Sequence, residues 1–182
     1  MIDIDLAYAA GIIDGEGCIT ITKNISKDHQ RRCLNPQYQL RVAVVMADPE
    51  VCKWLHERWP GCLKILNAPK YNKNSKPTFN WSISAEKAKC FLKQIRHFLK
   101  IKNRQALIGI AFQEDLIQKR GKRIRDKKGK FAKGNELQDD SIIKKKEAYK
   151  SLISRFNQHG CIWSDSLEGI PKSEKYYEYL GG

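Results

Sequence analysis

Between residues 5 and 15 a small residue returns at every fourth position, at Ala7, Gly11 and Gly15, with Ala10 beside them. Positions four apart share one face of a helix, so the segment predicts a short helix with one side nearly bare. Asp5 or Asp3 would cap its N-terminus. A bare side lets another backbone come close and shortens the distance between helix axes. Two occupants are open: the chain's own core, or a second copy of the same helix. The stripe ends in Asp14 and Glu16, and a buried core contact disfavours carboxylates, which favours the second copy. Two such helices at a two-fold axis would bring both Glu16 carboxylates together. Like charges that close require a cation. Mg²⁺ would neutralise them and hold oxygen ligands besides.

The periodicity then switches repeatedly. Residues 17–24 (GCITITKN) alternate as a strand does. A polar loop, 25–36, precedes a second alternating stretch, 37–47, with Tyr38, Leu40, Val42, Val44 and Met46 on one face. Asp48 and Pro49 open a helix that Pro60 and Gly61 stop after Trp59. Residues 62–68 and 78–84 form a second strand pair, with Phe79, Trp81 and Ile83 alternating against Thr78, Asn80 and Ser82. Helical spacing returns at 85–99 and 103–118, and again at 139–157. Helices between strand pairs predict an α+β domain of order αββαββα on one antiparallel sheet, with further helices after it. No internal repeat of domain size is present.

The chain has 182 residues and a formal net charge of +14. That length suits one domain, or one with an appendage. The charge points to a polyanionic partner, nucleic acid first and an anionic membrane surface second. No apolar run approaches the roughly 20 residues of a membrane span, so no membrane partner is expected. The acidic N-terminus (MIDID) lacks the basic start of a signal peptide, so secretion is not expected. Six scattered cysteines contain no Cys-x-x-Cys pair and read as reduced thiols. Residues 119–134 change composition abruptly, with nine Lys or Arg against Asp126 alone. Lys122, Arg123, Arg125, Lys127 and Lys128 stand at its centre as phosphate contacts, a solubilising linker being the alternative. The expected division is a core over 1–118, a basic insertion or loop over 119–138, a C-terminal helix over 139–163 and a tail over 164–182.

Residues 9–17 read AAGIIDGEG and resemble the signature of the LAGLIDADG homing endonucleases. Ala9 replaces the usual leucine. Glu16 stands where aspartate is common and keeps the charge on an arm one methylene longer. The run 98–106 (FLKIKNRQA) is similar to the segment before that family's last core helix. One copy of the motif and this length match the family's single-motif dimeric members, closest to those of organellar ribosomal-RNA introns. The resemblance covers roughly 5–118. It implies a saddle-shaped antiparallel sheet and a Mg²⁺-dependent double-strand DNA endonuclease, with Mn²⁺ as the alternative ion. It also implies a DNA-containing compartment, an organelle such as a chloroplast or mitochondrion or a bacterial cytoplasm.

Roles follow residue by residue. Glu16 is the expected metal ligand, with the main-chain carbonyl of Gly15. The resemblance places an active-site lysine on Lys102. It places a water-orienting polar residue on Asp48, for which a helix N-cap is the alternative, and a nearby cation on Lys53 or Cys52. Ala7, Ala10, Gly11 and Asp14 would meet the second copy, Asp14 bracing the motif helix instead of binding metal. Two strands need two hydrolyses, and one acid per chain then asks for a homodimer on a pseudo-palindromic site. Thr20, Thr22, Asn24, Gln37, Gln39, Arg41, Lys64, Asn80 and Ser82 would read base edges in the major groove, plain solvation being the alternative. An intron RNA-splicing maturase, with intron RNA as partner, and a non-catalytic DNA-binding protein are the competing functions of the same fold.

Overall fold

The computed structural model describes residues 3–25, 36–66, 77–118 and 140–159. Helix α1 (Asp3–Glu16) runs directly into strand β1 (Gly17–Asn24), which turns back as β2 (Gln37–Met46). Helix α2 (Pro49–Arg58) leads to β3 (Cys62–Leu66) and β4 (Thr78–Ser84), then α3 (Ala85–Ile95), α4 (Asn103–Gln118) and α5 (Asp140–His159). The αββαββα order is therefore present, with two helices after it.

The four strands form one antiparallel sheet in the order β1-β2-β4-β3. Two hairpins are thus joined along β2 and β4, and β2 is the central strand of the longest pairing. Its alternation sorts the two faces: Tyr38, Leu40, Val42 and Val44 are buried, while Gln37 and Gln39 are exposed. Ile19 and Ile21 of β1 and Trp81 and Ile83 of β4 complete the buried face. Helices pack there: Ala9, Ala10 and Ile13 of α1, Cys52 and Leu55 of α2, Phe91, Leu92 and Ile95 of α3, and Ile108 and Phe112 of α4 join one core. The opposite face is uncovered among the described residues.

Two boundaries differ from the sequence expectation. Helix α1 begins at Asp3, so Asp5 lies in its first turn; its carboxylate takes an ion pair from Arg58 Nε at 3.1 Å and does not cap. Helix α3 stops at Ile95, four residues early, although Leu99 is buried as its spacing demands. The amides of Phe98 and Leu99 bond three residues back, to the Ile95 and Arg96 carbonyls, so the last turn is tighter than α-helix, and the amides of Lys100, Ile101 and Lys102 then bond to the Asp14 carboxylate. Helix α5 docks along β1: Asn157 Nδ2 donates to the Ile19 carbonyl at 3.0 Å, and Glu147 accepts from Lys23 at 3.0 Å and from the Tyr38 hydroxyl. Its other anchor is Asp115 of α4, which accepts from Tyr149 at 2.8 Å and pairs with Lys145 at 2.7 Å. The basic run at 119–134 and the tail at 164–182 lie outside the described residues.

Candidate active site and nucleic-acid interface

The last four carbonyls of a helix lack intrahelical partners and carry the negative end of its dipole. At the end of α1, Lys102 fills two of them: Nζ donates to the carbonyls of Ile13 and Asp14, each at 2.8 Å. The Asp14 carboxylate answers by accepting from the amides of Lys100 (2.7 Å), Ile101 (3.2 Å) and Lys102 (2.9 Å). Five hydrogen bonds thus lock the motif helix to the segment before α4. Burial pushes the Lys102 pKa below the ordinary lysine value, against the opposing charges of Asp14, Cys18 and Glu16. Asp14 is committed to this lock and half-buried.

Gly15 and Glu16 follow, both exposed. The donor set is a carboxylate and main-chain carbonyls at the negative end of a helix, which suits a hard cation such as Mg²⁺. Among the described residues no group of three or more His, Cys, Asp or Glu side chains converges to hold a metal. With the Asp14 carboxylate engaged by three amides, Glu16 is the exposed carboxylate at the end of α1. Gly17 pairs with Val44, so the end of β2 and Asp48 beyond it lie at the same end of the sheet. Asp48 is the N-cap of α2, its Oδ1 accepting from the Glu50 amide at 2.8 Å. Lys53 is paired with Glu50 at 2.8 Å. Cys52 is fully buried, its thiol pKa raised by that burial, and cannot take the cation's place.

The outward side of α1 carries Ile4 (76% exposed), Ala7, Tyr8 (51% exposed), Gly11 and Gly15. Ala10 does not belong to it. At 0% exposure it packs inward with Ala9 and Ile13, because 100° per residue carries position 10 round to the core side. A Cβ built on Gly11 or Gly15 would meet nothing within 4 Å. A glycine in a helix interior, as at Gly11, costs about 1 kcal/mol relative to alanine, and no contact among the described residues offsets it.

The uncovered face of the sheet collects the remaining candidates by register. Cross-strand rows run Thr20–Arg41–Ser84, Thr22–Gln39, Asn24–Gln37, Cys18–Ala43–Ser82–Cys62 and Val45–Asn80–Lys64. A groove of about 680 Å³ opens over them, lined by Thr22, Asn24, Gln39, Arg41, Lys64 and Asn80 among others. Thr20 and Gln37 share the face without lining the groove. The Thr22 hydroxyl donates to the Gln39 carbonyl at 3.2 Å. Ser82 departs from expectation: it is 9% exposed on the groove floor, and its hydroxyl accepts from Arg41 Nη2 at 3.3 Å. Ser82 still lines the groove, with its hydroxyl engaged by Arg41.

Sequence reasoning missed Ser84, Cys62 and Lys87, which also line the groove. Alternation in β4 could have included Ser84 and alternation in β3 Cys62. Lys87 is on α3 and reaches the groove rim with Nζ donating to the Pro60 carbonyl at 3.0 Å, a proximity that depends on β4 lying between β2 and β3. Lys122, Arg123, Arg125, Lys127 and Lys128 lie outside the described residues.

No protein-family model matches the sequence, and no curated protein sequence matches it. Solved structures do match in shape. The archaeal intron-encoded homing endonuclease I-Vdi141I, complexed with DNA, aligns over 99% of this chain and 99% of its own with a TM-score of 0.61 at 14% identity. The homing endonuclease I-CvuI, in complex with I-CreI target, aligns over 99% and 96% with a TM-score of 0.60 at 13% identity. The LAGLIDADG homing endonuclease I-SmaMI, bound to cleaved DNA, aligns over 90% of this chain and 50% of its own with a TM-score of 0.51 at 15% identity. The chain has the LAGLIDADG homing-endonuclease fold.

Proposed function

We propose that this protein is a site-specific double-strand DNA endonuclease that acts as a homodimer and hydrolyses one phosphodiester per strand with Mg²⁺. The observation that carries the proposal is the outward stripe of α1: it is bare at Gly11 and Gly15, which touch nothing else among the described residues, and it ends on an exposed carboxylate, Glu16. Pairing two such stripes sets two Glu16 side chains side by side and turns two open sheet faces the same way. The DNA complexes of I-Vdi141I and I-CvuI, proteins of this fold and length, support the choice of partner.

Within that dimer Glu16 and the Gly15 carbonyl hold the divalent cation, which supplies Lewis acidity toward the phosphate. Lys102 has three ammonium donors, two of them spent on carbonyls, and presents the third to charge that develops on the phosphate. Asp48 orients water near the same end of the sheet while capping α2. The ten residues of β2 span about 33 Å, roughly ten base pairs, so a dimer covers a pseudo-palindromic site of about 20 base pairs. Lys122, Arg123, Arg125, Lys127 and Lys128 contact phosphates.

The test is cleavage of a library of candidate insertion sites by purified protein. Cutting with Mg²⁺, lost in chelator and in Glu16→Gln while binding persists, is the expected result. Binding without cutting at any site in Mg²⁺ or Mn²⁺ would leave a DNA-binding protein of the same fold. Splicing of an RNA that survives Glu16→Gln would point to a maturase.

A further inference from the structure

Arg41 is the guanidinium among the charged residues lining the groove, the others being Lys64 and Lys87. It lies on the central strand β2, between Thr20 of β1 and Ser84 of β4. Arg58, by contrast, is paired with Asp5 and lies over Trp54. No carboxylate pairs with Arg41 among the described residues; its guanidinium donates to a hydroxyl, Ser82 Oγ. Ser82 is opposite Ala43, two residues along β2, which makes it the diagonal neighbour of Arg41. The small side chain of Ala43 leaves space for the arginine stem to lie across the sheet toward it.

A guanidinium is planar and carries five donors. Engaging one of them on the recessed, nine-tenths buried Ser82 hydroxyl restrains the plane and leaves the other donors for a ligand in the groove that Arg41 lines. A phosphate contact has no need of such a fixed plane, since a mobile lysine serves as a point charge. Bidentate recognition of guanine O6 and N7 does need it. We infer that Ser82 is a positioning residue that locks Arg41 to read one guanine in each half-site, an inference that rests on the DNA-reading function proposed above. Arg41 pairs with Thr20, four residues beyond Glu16. At about 3.3 Å per residue that is about 13 Å, or about four base-pair steps from the Glu16 end.

The experiment is selection of bound sequences from a randomised duplex pool with chelator present, so that no cleavage intervenes. Wild type should enrich guanine at one position per half-site. Arg41→Ala should lose that preference by about tenfold or more while keeping the others. Ser82→Ala should relax it in part with the salt dependence of binding unchanged, and Ser82→Thr, which keeps the hydroxyl, should restore it. Thermal unfolding of each variant separates these effects from loss of fold. An unaltered profile in Arg41→Ala overturns the inference, as does a uniform loss across all sequences with a shallower salt slope, the mark of a phosphate contact. A wild-type profile with other preferences but no such guanine, or a Ser82→Ala profile identical to wild type, overturns the inference while DNA reading stands. If wild type enriches no sequence, DNA reading itself fails and this inference falls with it.

Discussion

Gly17 and Gly11 belong to one nine-residue motif and answer to different causes. A Cβ on Gly17 would sit 2.6 Å from the Ile13 Cα and 2.7 Å from its carbonyl oxygen. The chain itself demands glycine there, where helix turns sharply into strand. A Cβ on Gly11 or Gly15 would meet nothing within 4 Å. The inward side of α1 is thus accounted for by this fold, and the outward side meets nothing at Gly11 or Gly15 among the described residues, which is the opening the proposed dimer would fill. Such a contrast separates residues kept for folding from residues kept for a partner, within one helix and without any measured activity.

The largest effect should come at the end of the outward stripe. Glu16→Gln is expected to lower the cleavage rate by about 10³-fold or more, about 4 kcal/mol of transition-state stabilisation. Urea unfolding should move by less than about 0.5 kcal/mol, as for an exposed position. A Glu16→Gln chain that still cut, or that failed to fold, would break the division between the two sides. Next in size, Gly17→Ala should destabilise the fold by about 1–3 kcal/mol, the usual cost of overpacking, read from the same urea transitions. Gly11→Ala should do the reverse, stabilising the dissociated chain by about 1 kcal/mol through helix propensity, while the bulkier Gly11→Leu should shift sedimentation from dimer to monomer. Loss of stability in Gly11→Ala at monomeric concentrations would mean that the outward side packs internally after all.

The smallest effect lies away from α1 and calibrates an ordinary internal contact. The Glu147 carboxyl is held below the usual range chiefly by the Tyr38 hydroxyl, with Lys23 adding to it and burial opposing. A depressed carboxylate stabilises the fold fully above its unfolded pKa and loses that contribution as pH falls through the lowered folded value. The pair with Lys23 is partly exposed, so less than about 1 kcal/mol is at stake. Protection factors of the α5 amides, with the intrinsic slowing of exchange in acid divided out, should fall as the medium is acidified through that range, and Glu147→Gln should remove the dependence.

Much of this was legible beforehand because the signals were local. Alternation in 17–24 and 37–47 fixes which residues share a face, so the polar row from Thr20 to Arg41 could be assembled before β1 and β2 were paired. The Asp48-Pro49 start of α2 is equally local. What escaped depends on distant segments. Ala10 and Ala7 differ by a 300° rotation that small residues do not advertise, and only packing against the core shows which one is buried. The segment after α3 is held by a carboxylate more than eighty residues away, Asp14. Ser82 has the right phase to face the groove, yet its depth follows from the neighbouring strands and from Arg41 leaning over it.

The paired outward stripes would be examined most directly in a crystal of the protein with its duplex target and Mn²⁺, read by anomalous scattering. Two chains related by a two-fold axis, α1 against α1, should place Mn²⁺ on the Glu16 carboxylates and Gly15 carbonyls beside the phosphates to be cut. A single chain on the duplex, or two whose Glu16 side chains lie far apart with the ions elsewhere, would contradict the account.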